Sequence, residues 1–474
     1  MTQSDLEPAG ISGSELPRFS RLGQPSPLSR QAGGRALQLP LPSHTPHPPS
    51  PNGGPGATTE ITETAGVVSG DMAQRATDTV PTHARILVVG GGNGGISLAA
   101  QLNRKGVDDV VIVEPRTEHQ YRPLLSYVGA GLASIDAARR PQEPTMPSGS
   151  TWVRDAVERV DPDASTVTLT SGTIIGYDHL VLAAGSRPDW DAIPGSAEAL
   201  LAENASTNYL FDLAPKTWRL VDGMRSGTAL FTMPDDTCPC AGAAQKILYM
   251  ACDLWRSRGV LDDIRVVLTV PTPTVFGVPV VDEELMRKIA EYGIELRTTT
   301  TVRRLDRETS TATLETEGAT TELAYDLLHL TPPHAAPAWV EHSGLSSAAA
   351  GGFVDVDPGT LRHRRHPNVW ALGDIAATPG SSSGGGLRKQ TPVVVKNLRA
   401  VMAGKAPTQR ATGYTVSPFT VSRRTMVFAE FGPRGTPMPS TRLIELRKER
   451  RSTFLLDRWA LPWIYWHRIL RGKG

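Results

Sequence analysis

Two thiols flank a single proline in Cys238-Pro239-Cys240, within the stretch FTMPDDTCPCAGAAQK that runs from Phe231 to Lys246. Thiols this close can work as a redox pair, one attacking and the other resolving. A direct bond across the proline would be strained, because the ring restricts the intervening backbone, and strain makes a disulfide labile. An extra bridging sulfur atom would relax it. Cys240 opens the apolar-periodic segment AGAAQKILYMACDLWRSRG, where the positive end of a helix favours thiolate, the reactive form. The third cysteine, Cys252, falls at helical spacing beside Leu248 and Trp255 and reads as a core thiol. No metal-ligand pattern accompanies them.

A second chemistry-bearing pattern opens the foldable sequence. ARILVVGGGNGGISLAAQL, from Ala84, reads as a strand, a glycine turn and a helix. Gly90 permits the tight turn, Gly92 lets backbone approach a pyrophosphate, and Gly95 lets helix and strand pack closely. The next strand, DVVIVEP, ends in Glu114, at the spacing of an acid that accepts hydrogen bonds from an adenosine ribose. YDHLVLAAGSRP (Tyr177 to Pro188), with Gly185 in its turn, and HPNVWALGDIA (His366 to Ala376), ending in Gly373 and Asp374, resemble the second and third flavin signatures of flavoproteins with two dinucleotide-binding domains. That resemblance implies FAD, with Asp374 on its ribityl chain.

From about Asn208 the alternation restarts: GTALFTMP as a strand, the cysteine helix, DIRVVLTVP as a strand, then DEELMRKIAEYGIELRTTTTVRRLD as a helix and a strand. Its first turn carries Asp235, Asp236, Cys238 and Cys240 where NADH-using relatives would carry glycines. Carboxylates repel a pyrophosphate, and the strand ending at Val270-Pro271 supplies no ribose-binding acid. This unit is expected to keep its fold and to bind NAD poorly.

The chain from 84 onward resembles the sulfide:quinone oxidoreductases of the branch that includes the mitochondrial enzymes. The resemblance rests on YRPLLSYVGAGL (Tyr121 to Leu132), CAGAAQK (Cys240 to Lys246), LLHLTPPHAAP (Leu327 to Pro337), LRHRRHPNVWALGD (Leu361 to Asp374), RKQTPVVVKNL (Arg388 to Leu398), VFAEF (Val427 to Phe431) and LPWIYWHRILRG (Leu461 to Gly472). It implies sulfide oxidation at a cysteine beside FAD, electrons passed to a membrane quinone, and sulfane sulfur passed to a small acceptor such as sulfite or a thiol. Cys240 stands at the flavin-facing cysteine, and the position of the second redox cysteine is Ile375, which leaves Cys238 as the candidate partner. Lys389, in the helix after the third signature, is assigned to the reduced flavin. A flavin-dependent NAD(P)H:quinone oxidoreductase and a flavin-binding sensor or partner protein remain as alternatives.

The elements that must position these groups follow from the patterning. The fold class is α/β, with two Rossmann-like dinucleotide-binding domains, the FAD domain discontinuous, and a C-terminal membrane-interacting segment. The expected divisions are a Pro/Gly/Ser-rich disordered extension over 1–82, FAD domain over 83–205 and 333–400, the cysteine-bearing domain over 206–332, and a quinone- and membrane-interacting region over 401–474. Trp459, Trp463, Trp466 and Leu470 fall on one helical face among Arg458, Arg468, Arg471 and Lys473, which describes an element lying in a membrane interface over 454–474. The net charge of +1 over 474 residues supplies no field for nucleic acid, and three cysteines are too few for a secreted disulfide scaffold. A peripheral membrane location on the cytoplasmic face is expected, the alternative being the matrix side of the mitochondrial inner membrane. Homo-oligomerisation stays open.

Overall fold

The computed structural model describes residues 80–234, 238–379, 382–440 and 447–474. The expected disordered extension falls, as far as residue 79, outside the described residues, as do Asp235 and Asp236.

Strand His83–Val89 is buried at both faces over its last four residues, as a central parallel strand must be. Val110–Val113 and then Ser150–Val153 lie parallel on one side of it. Ile174–Leu182 lies parallel on the other side. That strand is long enough to serve two partners. Its first residues take Thr166–Leu169 antiparallel, and Val157–Asp161 beyond it, while Leu180 to Leu182 take Val369–Ala371 in parallel. The register aligns Val113, Val89, Leu182 and Ala371 in one row. The turns that follow these strands, at Glu114, Gly90, Gly185 and Gly373, therefore share the carboxyl edge of one sheet, where α/β folds bind ligands.

The second sheet is wholly parallel, in the order Ala205–Ser206, Leu327–His329, Gly227–Thr232, Ile264–Thr269, Glu295–Arg297. Helix Gly242–Ser257 follows its strand Gly227–Thr232. An antiparallel meander, Thr300–Asp306, Thr311–Thr316 and Ala319–Ala324, adjoins it. The chain crosses between the two units at a short antiparallel ladder, Arg187–Pro188 with His334–Ala335. Ile193, Ala199, Leu200 and Ala205 already pack with Leu230 and Val267 of the second unit. The crossing thus precedes the boundary at 205 expected from the sequence, because the segment after Pro188 finds its apolar partners in the second sheet.

The hairpin Thr415–Thr420 and Met426–Phe431 covers the first turn of helix Gly242–Ser257. A Cβ on Gly242 would stand 2.9 Å from that of Ser417, so the helix needs glycine there to approach the hairpin. Past the hairpin come helix Arg451–Leu455, a π turn over Leu456–Ala460 and helix Leu461–His467. The single membrane face expected from helical spacing does not form. Trp459 and Trp463 are 62% and 58% exposed, whereas Trp466 and Leu470 are buried against the body of the protein. The π turn inserts a residue into the helical count, and the backbone breaks again at Arg468, so the four side chains no longer share one side. Leu455 and Leu456 join Trp459 and Trp463 on the exposed side. Among the described residues no helix is long and apolar enough to cross a membrane.

Candidate active site

The glycine turn has the geometry its residue types require. Gly90 has φ +107°, and a Cβ there would lie 2.5 Å from the Ala183 carbonyl oxygen. A Cβ on Gly95 would lie 1.8 Å from the carbonyl oxygen of Gly90, so any side chain pushes helix from strand. Gly92 faces open space. Glu114 accepts the backbone N–H groups of Gly91 at 2.7 Å and of Arg116 at 2.8 Å, which fixes its carboxylate at the mouth of the turn. Gly185 and Gly373 both adopt the left-handed conformation, and the Ser186 hydroxyl beside Gly185 is buried without a hydrogen-bond partner. Open space before Gly92 and an orphaned hydroxyl at the second signature fit an extended dinucleotide such as FAD along this edge.

Cys240 is brought to the third signature. Its backbone N–H donates to the Ser382 carbonyl oxygen at 2.8 Å, and the Ser382 side chain hydrogen-bonds Asp374. Ser383 then caps helix Gly384–Met402 through the N–H of Gly386, at 3.0 Å. Cys240 itself has φ +52°, a conformation that costs a non-glycine residue roughly 1–3 kcal/mol and persists where the surroundings enforce it. Tyr209 supplies part of that enforcement: its hydroxyl donates to the Cys240 carbonyl oxygen at 3.3 Å and lies 4.0 Å from Cys238 Sγ. Cys238 and Cys240 are both free thiols, the first buried and the second partly so. Cys240, Asp374 and Tyr209 are partly exposed and Arg122 is exposed, so all four keep accessible surface at this open site.

The expected thiolate preference is reversed by burial. The helix begins at Gly242, so Cys240 precedes even its capping residue Ala241. Burial pushes the Cys240 thiol above its ordinary value; Lys246 is the largest opposing influence, and Asp457 and Asp374 add to the rise. Lys246 lies in a buried network that the sequence reading missed. Its Nζ is 3.1 Å from Asp457, the two side chains being 2% and 5% exposed, and Asp457 accepts from Tyr127 at 2.6 Å. A second missed chain runs from the turn to the C-terminal helix. Gln142 donates to the Gly91 carbonyl oxygen at 2.8 Å and contacts His119 at 3.2 Å, whose other ring nitrogen lies 2.5 Å from the Tyr465 hydroxyl. Burial lowers His119 to about 4, leaving it neutral.

Lys389, the residue assigned to the reduced flavin, is exposed and stands over the Tyr414 ring, 5.8 Å from its centroid. Ile375 is fully buried among the apolar side chains of the first unit. Arg122, which shares its field with Asp374, and Tyr209 are cleft residues that no local pattern singled out.

Two parallel nucleotide-type units, with a cysteine of one docked on the Gly-Asp turn of the other, define a disulfide-oxidoreductase type of flavoprotein. The family model for pyridine nucleotide-disulphide oxidoreductases matches residues 84–397. The mitochondrial sulfide:quinone oxidoreductase of Mus musculus is 32% identical over 398 residues, 83% of this chain and 88% of the relative. That of Dictyostelium discoideum is 32% identical over 392 residues, 82% and 86%. The crystal structure of the Aquifex aeolicus sulfide:quinone oxidoreductase shares the fold, with a TM-score of 0.71, 19% identity, and coverage of 82% of this chain and 92% of that one. The chain belongs to the pyridine nucleotide-disulphide oxidoreductase family, in its sulfide:quinone oxidoreductase group.

Proposed function

We propose that this protein oxidises sulfide at Cys240, using FAD, and delivers the electrons to a quinone. The observation that carries the reading is the docking of Cys240 onto Ser382 and Asp374. FAD held at this edge would supply a two-electron acceptor that a quinone can reoxidise. Gly90, Gly92, Gly95 and Glu114 receive its dinucleotide part, and Gly185, Gly373 and Asp374 its remainder. The protein's own part is thiol chemistry. Hydrosulfide attacks a bridge between Cys238 and Cys240, leaving a persulfide on one sulfur and releasing the other as thiolate. Lys246 is the positive charge that stabilises thiolate at Cys240. The sulfane sulfur passes to sulfite or a small thiol, which leaves Cys238 and Cys240 as two thiols whose reclosure would release two electrons to a held FAD. Tyr209 holds the backbone of Cys240 while Cys238 changes partner.

The exposed Leu455, Leu456, Trp459 and Trp463 fit the interfacial zone of a membrane, where a quinone is dissolved. The relatives' names, which place them in mitochondria, favour the mitochondrial alternative over the cytoplasmic face. An anaerobic flavin spectrum tests the whole reading. Sulfide should bleach it, a soluble quinone should restore it, and NADH should leave it unchanged. Cys240→Ser should keep the bound flavin and lose bleaching by sulfide. Bleaching by NADH alone would make the protein an NADH-dependent enzyme instead.

A further inference from the structure

A cavity of about 590 Å³ lies at the far end of the cysteine helix from Cys240. Asp253, Arg256 and Ser257 contribute its floor, from the last turn of that helix. The helix spans 16 residues, so roughly 24 Å separates this cavity from the reactive cysteine. Its walls come from the end of helix Pro279–Glu291, the hairpin turn around Arg423 and Arg424, and Glu449 with Arg451.

Six of its side chains are cationic: Arg256, Arg287, Lys288, Arg423, Arg424 and Arg451. Three are carboxylates, in a chain whose net charge is only +1. The carboxylates are committed to partners. Lys288, 3% exposed, stands 2.9 Å from both Glu291 and Glu449, and Arg256 takes Asp253 at 2.9 Å and Glu291 at 2.7 Å. Arg287 pairs with Glu284, Glu291 and Glu449. Arg424 and Arg451 keep exposed guanidinium groups with no side-chain hydrogen bond or ion pair to the protein among the described residues. Arg451 moreover opens a helix, where the backbone dipole disfavours a cation. The fold gains nothing from a cation there, whereas a bound anion would.

We propose that this cavity seats the phosphate-bearing headgroup of an anionic phospholipid. A lipid rather than a soluble phosphate is assigned because the exposed apolar surface begins one helical turn past Arg451, at Leu455 and Leu456, and continues to Trp459 and Trp463. Basic groups at the edge of an interfacial apolar surface are the arrangement that holds acidic headgroups. The proposal rests on the membrane reading given above and adds to it a choice among lipids.

The test is co-sedimentation of the FAD-loaded full chain with phosphatidylcholine vesicles, with and without phosphatidylglycerol. The wild type should bind the acidic vesicles at least about tenfold more tightly, and Arg424→Gln/Arg451→Gln should lose roughly fivefold per cation on acidic vesicles alone. That variant should keep wild-type flavin reduction by sulfide in solution. Trp459→Ala/Trp463→Ala should weaken binding to both vesicle types. Equal binding of the wild type to both vesicles would overturn the headgroup site and leave the membrane reading standing, whereas binding to neither would overturn both. Thermal stabilisation by inorganic phosphate without any preference for acidic vesicles would reassign the cavity to a soluble anion.

Discussion

Cys240 is held in a backbone conformation that its side chain resists, in a place where burial resists its charge. The backbone penalty counts against the folded state whatever the charge of the thiol. Cys240→Gly should therefore raise stability by about 1 kcal/mol in denaturant melts while abolishing sulfide oxidation. Removing Lys246 acts in the opposite sense. Lys246→Met strips the buried Asp457 of its partner and should cost roughly 3–5 kcal/mol. It also removes the principal influence that lowers the Cys240 pKa. Alkylation of Cys240 should then need a higher pH, which a profile of iodoacetamide rates would reveal. If that profile stays in place, Lys246 serves packing alone. Neither the pair nor its reach was legible in the sequence: Lys246 and Asp457 lie 211 positions apart, and each alone resembles a solvated charge.

At the level of elements, the strand-turn-helix unit was the easiest to read, because each glycine answers a local steric demand. Gly95→Ala should separate helix Asn93–Asn103 from its strand, since the added methyl would meet the Gly90 carbonyl oxygen. The expected outcome is a loss of roughly 1–3 kcal/mol and release of FAD on gel filtration. A variant that remains yellow and equally stable would show that the turn can relax. The C-terminal helix was harder. Apolar spacing assumes an unbroken 3.6-residue repeat, and one π turn was enough to send Trp466 inward and leave Trp459 and Trp463 outside. The helix after the third signature is capped by Ser383, next to the Ser382 that meets Cys240, and Lys389 a turn later stands over Tyr414.

Across the whole molecule, four histidines among the described residues are buried with lowered pKa values, His119 and His334 to about 4, His329 to about 3 and His363 in the same direction, burial being the main cause in each. The unfolded chain takes up protons near pH 6.5, whereas the folded chain refuses them until far lower. Stability should thus be complete above pH 6.5 and fall as the pH drops toward 4, by up to about 1.4 kcal/mol per histidine per unit. Melting temperatures across that range would check the slope, and His329→Asn should flatten it by one proton. The α/β alternation and the shared carboxyl edge follow from patterns within single segments. The cleft does not, because it is assembled from residues as distant as Arg122, Tyr209, Cys240 and Asp374 and exists only once two sheets have met.

The hydrogen-bonded chain from Gly91 through Gln142 and His119 to Tyr465 spans almost the full described sequence, its last link joining residues 346 positions apart. The tail is consequently no detachable appendage. A protein shortened behind Ala460 would lose Tyr465 and Trp466 and expose His119 to water. It should come off a purification column pale, having shed its yellow prosthetic group although every residue of the glycine turn is intact.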